Sequence, residues 1–228
     1  MEPPLWKKWL SYLFEFHIES LPSVINPHLY VSLKSGRYQL CTENAVYSFE
    51  DKYDNFKRIF DQLDLSRVEG GKVLILGFGL GSIPILLEKK KLNNIHITGV
   101  ELDENVLLLA EKYGLGKIPY PIELICADAR VYMEQNRNCY NLLIVDIFTD
   151  DIIPEYFRSK TFLSLCRRAL TEDGTLLYNT LGATDEDKSK SEEFFFDTFS
   201  KIFPDARLAD VNGNYILINR APGKADSY

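Results

Sequence analysis

Hydrophobic and polar positions follow two different rhythms along this chain. Between Leu29 and Phe49 the rhythm is short. Leu29-Tyr30-Val31-Ser32-Leu33 reads as a strand, Ser35-Gly36 as a turn, and Tyr38 to Cys41 and Ala45 to Phe49 as further extended runs, so His17 to Phe49 is expected to be β. From Asp51 to Leu63 the period lengthens, with Tyr53, Phe56, Ile59, Phe60 and Leu63 at helical spacing until Glu69-Gly70-Gly71 breaks it. Upstream, Leu5, Trp6, Trp9, Leu10, Leu13 and Phe14 also recur at helical spacing. They predict an N-terminal helix packed on the body or on a second subunit, with contact to a membrane surface as the other reading.

From Lys72 onward apolar strands and amphipathic helices alternate. Strands are expected at Val73–Leu76, Ile95–Val100, Ile122–Cys126, Leu142–Val145 and Thr175–Tyr178. Helices are expected at Ser82–Lys91, Glu104–Tyr113, Ala129–Gln135 and Lys160–Leu170. After Tyr178 comes a stretch rich in Asp, Glu, Lys and Ser, expected to be a loop, then a helix over Phe194–Ile202. Extended segments at Arg207–Val211 and Tyr215–Asn219, joined through Asn212-Gly213-Asn214, read as a closing antiparallel hairpin. This order implies an α/β, Rossmann-like, seven-stranded and mostly parallel sheet covered by helices on both faces. The chain divides into residues 1–68, an N-terminal helix with a small β-rich region and a linking helix, and residues 69–228, the α/β unit.

Composition narrows the choice of partners. A net charge of −7 argues against a general nucleic-acid binder, which needs a basic stripe. Cys41, Cys126, Cys139 and Cys166 are scattered, as are His17, His28 and His96, so no metal site is expected and the thiols read as those of a cytoplasmic protein. The longest apolar stretch, Val73 to Leu87, is broken by glycines and by Pro84 and falls short of the ~20 residues a membrane span needs.

Candidate chemistry gathers at the strand ends. Gly77-Phe78-Gly79-Leu80-Gly81 follows the first strand of the α/β unit, where glycines let the backbone turn sharply and approach a ligand. Glu101 ends the second strand, where a carboxylate can accept ribose hydroxyls. Asp128 follows the third, placed for an exocyclic amine such as that of adenine, and Asp146 ends the fourth. Any one of these acids alone reads equally as a helix cap. Together, on consecutive strand ends, they indicate a nucleoside site. The dinucleotide fingerprint G-x-G-x-x-G/A would need a glycine or alanine where Ser82 stands, so the spacing disfavours NAD.

The G-x-G-x-G turn, Val100-Glu101-Leu102-Asp103, Ala127-Asp128-Ala129 and Leu143-Ile144-Val145-Asp146 together resemble the spermidine-synthase-like branch of the class I S-adenosylmethionine-dependent methyltransferases, from about Leu29 to Asn219. The resemblance implies that Gly77, Phe78, Gly79, Gly81, Glu101, Asp128 and Ala129 hold S-adenosylmethionine or its decarboxylated form. It implies that Asp146 is the catalytic carboxylate, that Tyr47, Asp51 and Asp150 face a small-molecule substrate, and that the protein forms a homodimer. The pattern is not complete. Aminopropyltransferases carry an Asp in the glycine turn where this chain has Leu80, and the acids after Asp146, Asp150 and Asp151, are displaced from the family's D-x-x-D-P order. Three readings stay open: a methyl- or aminopropyltransferase acting on a small acceptor such as an amine, a catalytically silent nucleoside-binding or assembly module, and an NAD-linked oxidoreductase.

Overall fold

Two sheets organise the chain in the computed structural model, which describes residues 2–220 except Pro27, Asn44 and Asp151. A short helix α1 (Leu5–Leu10) leads into an antiparallel sheet of β1 (Phe16–Ser20), β2 (Tyr30–Lys34), β3 (Arg37–Cys41) and β4 (Val46–Ser48), paired in that order. Ser35 and Gly36 both take positive φ between the paired residues Lys34 and Arg37. That is the tight turn which matches strand twist, and the Ser-Gly pair signals it in the sequence. Helix α2 (Asp54–Gln62) then buries Phe56, Ile59 and Phe60 against the second sheet.

The second sheet contains β5 (Lys72–Leu76), β6 (His96–Glu101), β7 (Ile122–Cys126), β8 (Tyr140–Val145), β9 (Leu170–Leu181), β10 (Arg207–Asp210) and β11 (Asn214–Ile218). Their spatial order is β10-β11-β9-β8-β5-β6-β7, parallel from β9 to β7 and antiparallel in the terminal hairpin. Strand side chains alternate between faces. Val73 and Ile75 join the core beneath α2, α3 (Ser82–Lys89), α4 (Glu104–Tyr113) and the first sheet. Leu74 and Leu76 join the opposite core under α5 (Ala129–Gln135), α6 (Lys160–Arg168) and α7 (Asp185–Phe194). Strand order reverses between β5 and β8. The crevice outside their carboxyl ends is therefore where a ligand binds in such a sheet.

Two elements differ from expectation. The polar stretch after β9 is a helix: the Thr184 hydroxyl accepts from the Asp187 N–H while the Asp187 carboxylate accepts from the Thr184 N–H, a closed capping box. The helix expected over 194–202 is the continuation of α7 through one π-turn at Phe195–Phe199 and a last turn α8 (Ser200–Ile202). At the other end, α1 forms as expected, with its apolar side turned away from the body. None of its residues is buried, and it turns Leu5, Trp6 and Trp9 to the outside while Lys7 and Lys8 are half-buried. Among the described residues no helix is long and apolar enough to cross a membrane.

Candidate active site

The glycine turn is shaped by what approaches it. Gly77 has φ +86°, and a Cβ there would stand 2.1 Å from the Asp146 carbonyl oxygen, so the ends of β5 and β8 can meet only at glycine. Gly79 has φ +56° and lies against Ser48 and the Tyr47 carbonyl, which brings the first sheet onto the turn. Gly81 (φ +86°) caps α3 in the left-handed conformation. Leu80 points away from the crevice into the core, and its carbonyl sits where a Cβ on Gly114 would be, 1.8 Å away. The hydrophobic residue in the turn therefore packs and presents no group to a ligand.

Glu101 holds this turn in place. Its Oε2 accepts from the Phe78 and Gly79 N–H groups at 3.1 and 3.2 Å, and its Oε1 from those of Leu102 and Asp103 at 2.9 and 3.3 Å. Burial raises its pKa, and the same four backbone donors pull it back down. Asp128 caps α5 by accepting from the Arg130 N–H at 2.7 Å, leaving Oδ2 without a protein partner among the described residues. The capping role and the cavity position coexist, with Ala129 beside it on the wall.

Asp146 sits at the switch point with two side-chain donors. The Tyr53 hydroxyl donates to Oδ2 at 2.9 Å and the Asn179 amide to Oδ1 at 2.8 Å. Asn179 is itself held by the Asn214 amide at 3.0 Å, so strands β9 and β11 and the linking region all converge on this carboxylate. Burial pushes its pKa up to about 6, against the downward pull of Asn179 and Tyr53, and the charge of Glu101 adds to the rise. The sequence reading contains none of these partners. Tyr53 falls in a helical apolar pattern and reads as core. Asn179 carried a usable signal, being the polar residue just past the expected end of the fifth strand.

A cavity of about 1190 Å³ runs along these strand ends, lined by Gly77, Gly79, Glu101, Asp128, Ala129 and Asp146, with Tyr47, Tyr53 and Asp150 also on its wall. Small-molecule sites usually occupy ~300–1,000 Å³, so the space accommodates two small ligands side by side. Phe78 and Gly81 shape the turn from behind. The Tyr47 hydroxyl donates to Asn26 Oδ1 at 2.9 Å and accepts from the Asp150 N–H at 2.5 Å, and burial raises its pKa to about 12. Asp150 accepts from Thr42 at 2.6 Å. Asp51 lies off the cavity, and its expected substrate role does not match its surroundings. Burial opposes its charge, but Arg37, at 2.6 Å, and Lys89 hold its carboxyl well below the usual range. Asp151 lies outside the described residues.

No family model matches the chain. A polyamine aminopropyltransferase of Vibrio vulnificus (strain CMCP6) is 26% identical over 154 residues, covering 65% of this chain and 50% of that protein. An N-terminal histidine N-methyltransferase of Emericella nidulans is 28% identical over 144 residues, covering 61% of this chain and 24% of the relative. This chain thus spans half the length of the first relative and a quarter of the second. Among solved structures, a spermidine synthase in complex with the transition-state analogue AdoDATO superposes with a TM-score of 0.70 at 19% identity, covering 89% of this chain and 72% of that one. Human methyltransferase-like protein 13 in complex with SAH gives a TM-score of 0.60 at 19% identity, covering 75% of this chain and 83% of that one. With the strand order, the glycine turn and the antiparallel first sheet, these likenesses show that the chain shares the fold of the spermidine synthase and of methyltransferase-like protein 13 and is similar in sequence to polyamine aminopropyltransferases.

Proposed function

We propose that this protein is a transferase that binds S-adenosylmethionine or its decarboxylated form and moves a methyl or aminopropyl group to a small amine. The observation that carries this reading is Asp146, a carboxylate poised near neutrality on the wall of a two-ligand cavity, beside the glycine turn. The residues fit the cofactor: Gly77 and Gly79 leave the turn open, Glu101 would hold the ribose, and the free oxygen of Asp128 would take the adenine amine. The sulfonium, when bound, supplies an electrophilic carbon whose bond to sulfur breaks as the amine nitrogen bonds to it. Asp146 orients the amine and takes its proton, with Tyr53 and Asn179 holding the carboxylate in one geometry. Support for a transferase comes from the two relatives, one an aminopropyl- and the other a methyltransferase by name.

Titration calorimetry with S-adenosylmethionine, its decarboxylated form and NAD tests the cofactor, and single-turnover assays with amine acceptors test the reaction. Binding of either S-adenosyl compound and a loss of turnover of at least about 100-fold in Asp146→Asn are expected. Binding without turnover on any amine would favour the silent nucleoside-binding module, and binding of NAD alone would remove the proposal.

We also infer that α1 and the segment to Phe14 pack against a second copy of this chain. Leu5, Trp6, Trp9, Leu10, Leu13 and Phe14 are all exposed, with Trp9 77% and Leu5 76% accessible. Their combined apolar area is of the same order as the ~800 Å² that each partner contributes to a standard interface. A monomer seldom leaves such a patch in water.

A further inference from the structure

Five cations line the cavity, Lys34, Lys52, Arg130, Arg158 and Lys190, and the proposed chemistry uses none of them; Arg158 and Lys190 lie opposite the cofactor half. Arg158 lies in the loop after β8 and Lys190 on α7 after β9, and both line the cavity. Glu101 and Asp128 follow β6 and β7, on the other side of the switch point. Arg158 is half-buried, with its guanidinium 5.3 Å from the Phe194 ring centroid. Its Nη2 donates to the Lys190 carbonyl at 3.0 Å, while its Nε is buried with no hydrogen-bond partner. Among the described residues no carboxylate lies within ion-pair distance of it. Lys190 pairs with Glu186 at i,i+4, with both side chains more than half exposed, and the charge of Asp187 also acts on it. Exposed pairs of that kind hold little energy, so the ammonium is available.

The acids on the same wall are differently placed. Glu101 is held by four backbone donors, Asp187 by the capping box and Asp150 by Thr42, while the α5 N-terminus takes one oxygen of Asp128 and the other lies on the proposed cofactor side. Asp54 is exposed in the first turn of α2, where water solvates it at no cost. A second ammonium would therefore gain only a hydrated acid at Asp54. An anion would pair with a half-buried guanidinium that has unused donors, and hydrogen bonds between charged groups are among the stronger ones.

We infer that Arg158 and Lys190 form an anion-binding pole in the acceptor half, and that the acceptor is an amine bearing a carboxylate at its far end. The inference rests on the proposed transferase reading, with Asp146 at the amine end and the pole beyond Asn179 and Leu181. Arg158, with its planar fork of donors, is the specificity-determining residue, and Lys190 adds charge.

The test uses the full chain and matched pairs of acceptors that differ only at one end: 4-aminobutyrate against putrescine, and 6-aminohexanoate against 1,6-diaminohexane. Each is titrated calorimetrically with and without saturating S-adenosylhomocysteine. The amino acid of at least one pair should bind about tenfold or more tightly than its diamine. Arg158→Gln and Lys190→Gln should each erase that preference, and Arg158→Lys should keep part of it. Near-ultraviolet circular dichroism of the variants checks the fold, and Lys190→Gln, on the surface, guards against a misfolded Arg158 variant. Equal or tighter binding of both diamines, or no binding by either pair, overturns the inference. So does a second pattern, in which Arg158→Gln weakens S-adenosylhomocysteine but leaves 5′-methylthioadenosine unchanged, because the pole would then serve the carboxylate of the cofactor. Absence of S-adenosylhomocysteine binding would sink the cofactor reading instead, and the titrations without it still decide the pole.

Discussion

A carboxyl group that titrates near pH 6 is half-ionised where most aspartates are fully charged, and in the proposed reaction this sets how Asp146 would work. As a base it must be ionised, so kcat/KM should rise with pH through a limb near 6. Tyr53 donates to the charged form, and Tyr53→Phe should move that limb upward by about one unit, read from pH–rate profiles. The same shift acts on stability. Because the folded-state pKa lies above the unfolded one, the unfolded chain releases its proton first, and stability falls as pH rises from about 4 to about 6 before levelling. Asp146→Asn should remove that slope and raise stability at pH 7.5 by about 2 kcal/mol, measured by urea unfolding. A variant that is more stable and inactive is the signature of a carboxylate kept for chemistry. If the variant instead loses stability at pH 7.5, the carboxylate is structural.

At the scale of elements, α7 shows what a polar pattern can conceal. Only Ser191 and Phe194 of the helix are buried, so the hydrophobic period that marks a helix is missing, and acids and lysines read as a loop. What holds the element is its end. Thr184→Ala opens the capping box and should cost about 1 kcal/mol in urea unfolding, with faster amide exchange at Asp187 and Lys188. An unchanged unfolding curve would show that packing of Phe194 suffices. The strands were legible for the opposite reason: Val73–Leu76 and Leu142–Val145 are apolar runs, and they stop at Gly77 and Asp146, both of which line the cavity. The convergence of Tyr53, Asn179 and Asn214 on Asp146 was not legible, because it depends on the approach of elements far apart in sequence. Asp51 illustrates the reverse. The family resemblance implies a substrate role for it, and only the arrival of Arg37 from β3 and Lys89 from α3 shows it as an ion-pair hub.

For the molecule as a whole, the outward aromatic face of α1 and the segment after it makes a solution property predictable. Trp9→Glu places a charge on that face without touching a buried residue, so sedimentation velocity should show the wild type as a dimer and the variant as a monomer of unchanged turnover. A monomeric wild type would leave the face without this partner. The hydrogen bonds around Asp146 have a consequence in time. A chain that has emerged only as far as β8 already holds the glycine turn, Glu101, Asp128 and Asp146 itself. It lacks Asn179, and Asn179 in turn awaits Asn214 on the last strand. The partners that fix the Asp146 carboxylate are therefore among the last parts of its surroundings to be synthesised, and its geometry is complete only when the final strand has joined the sheet.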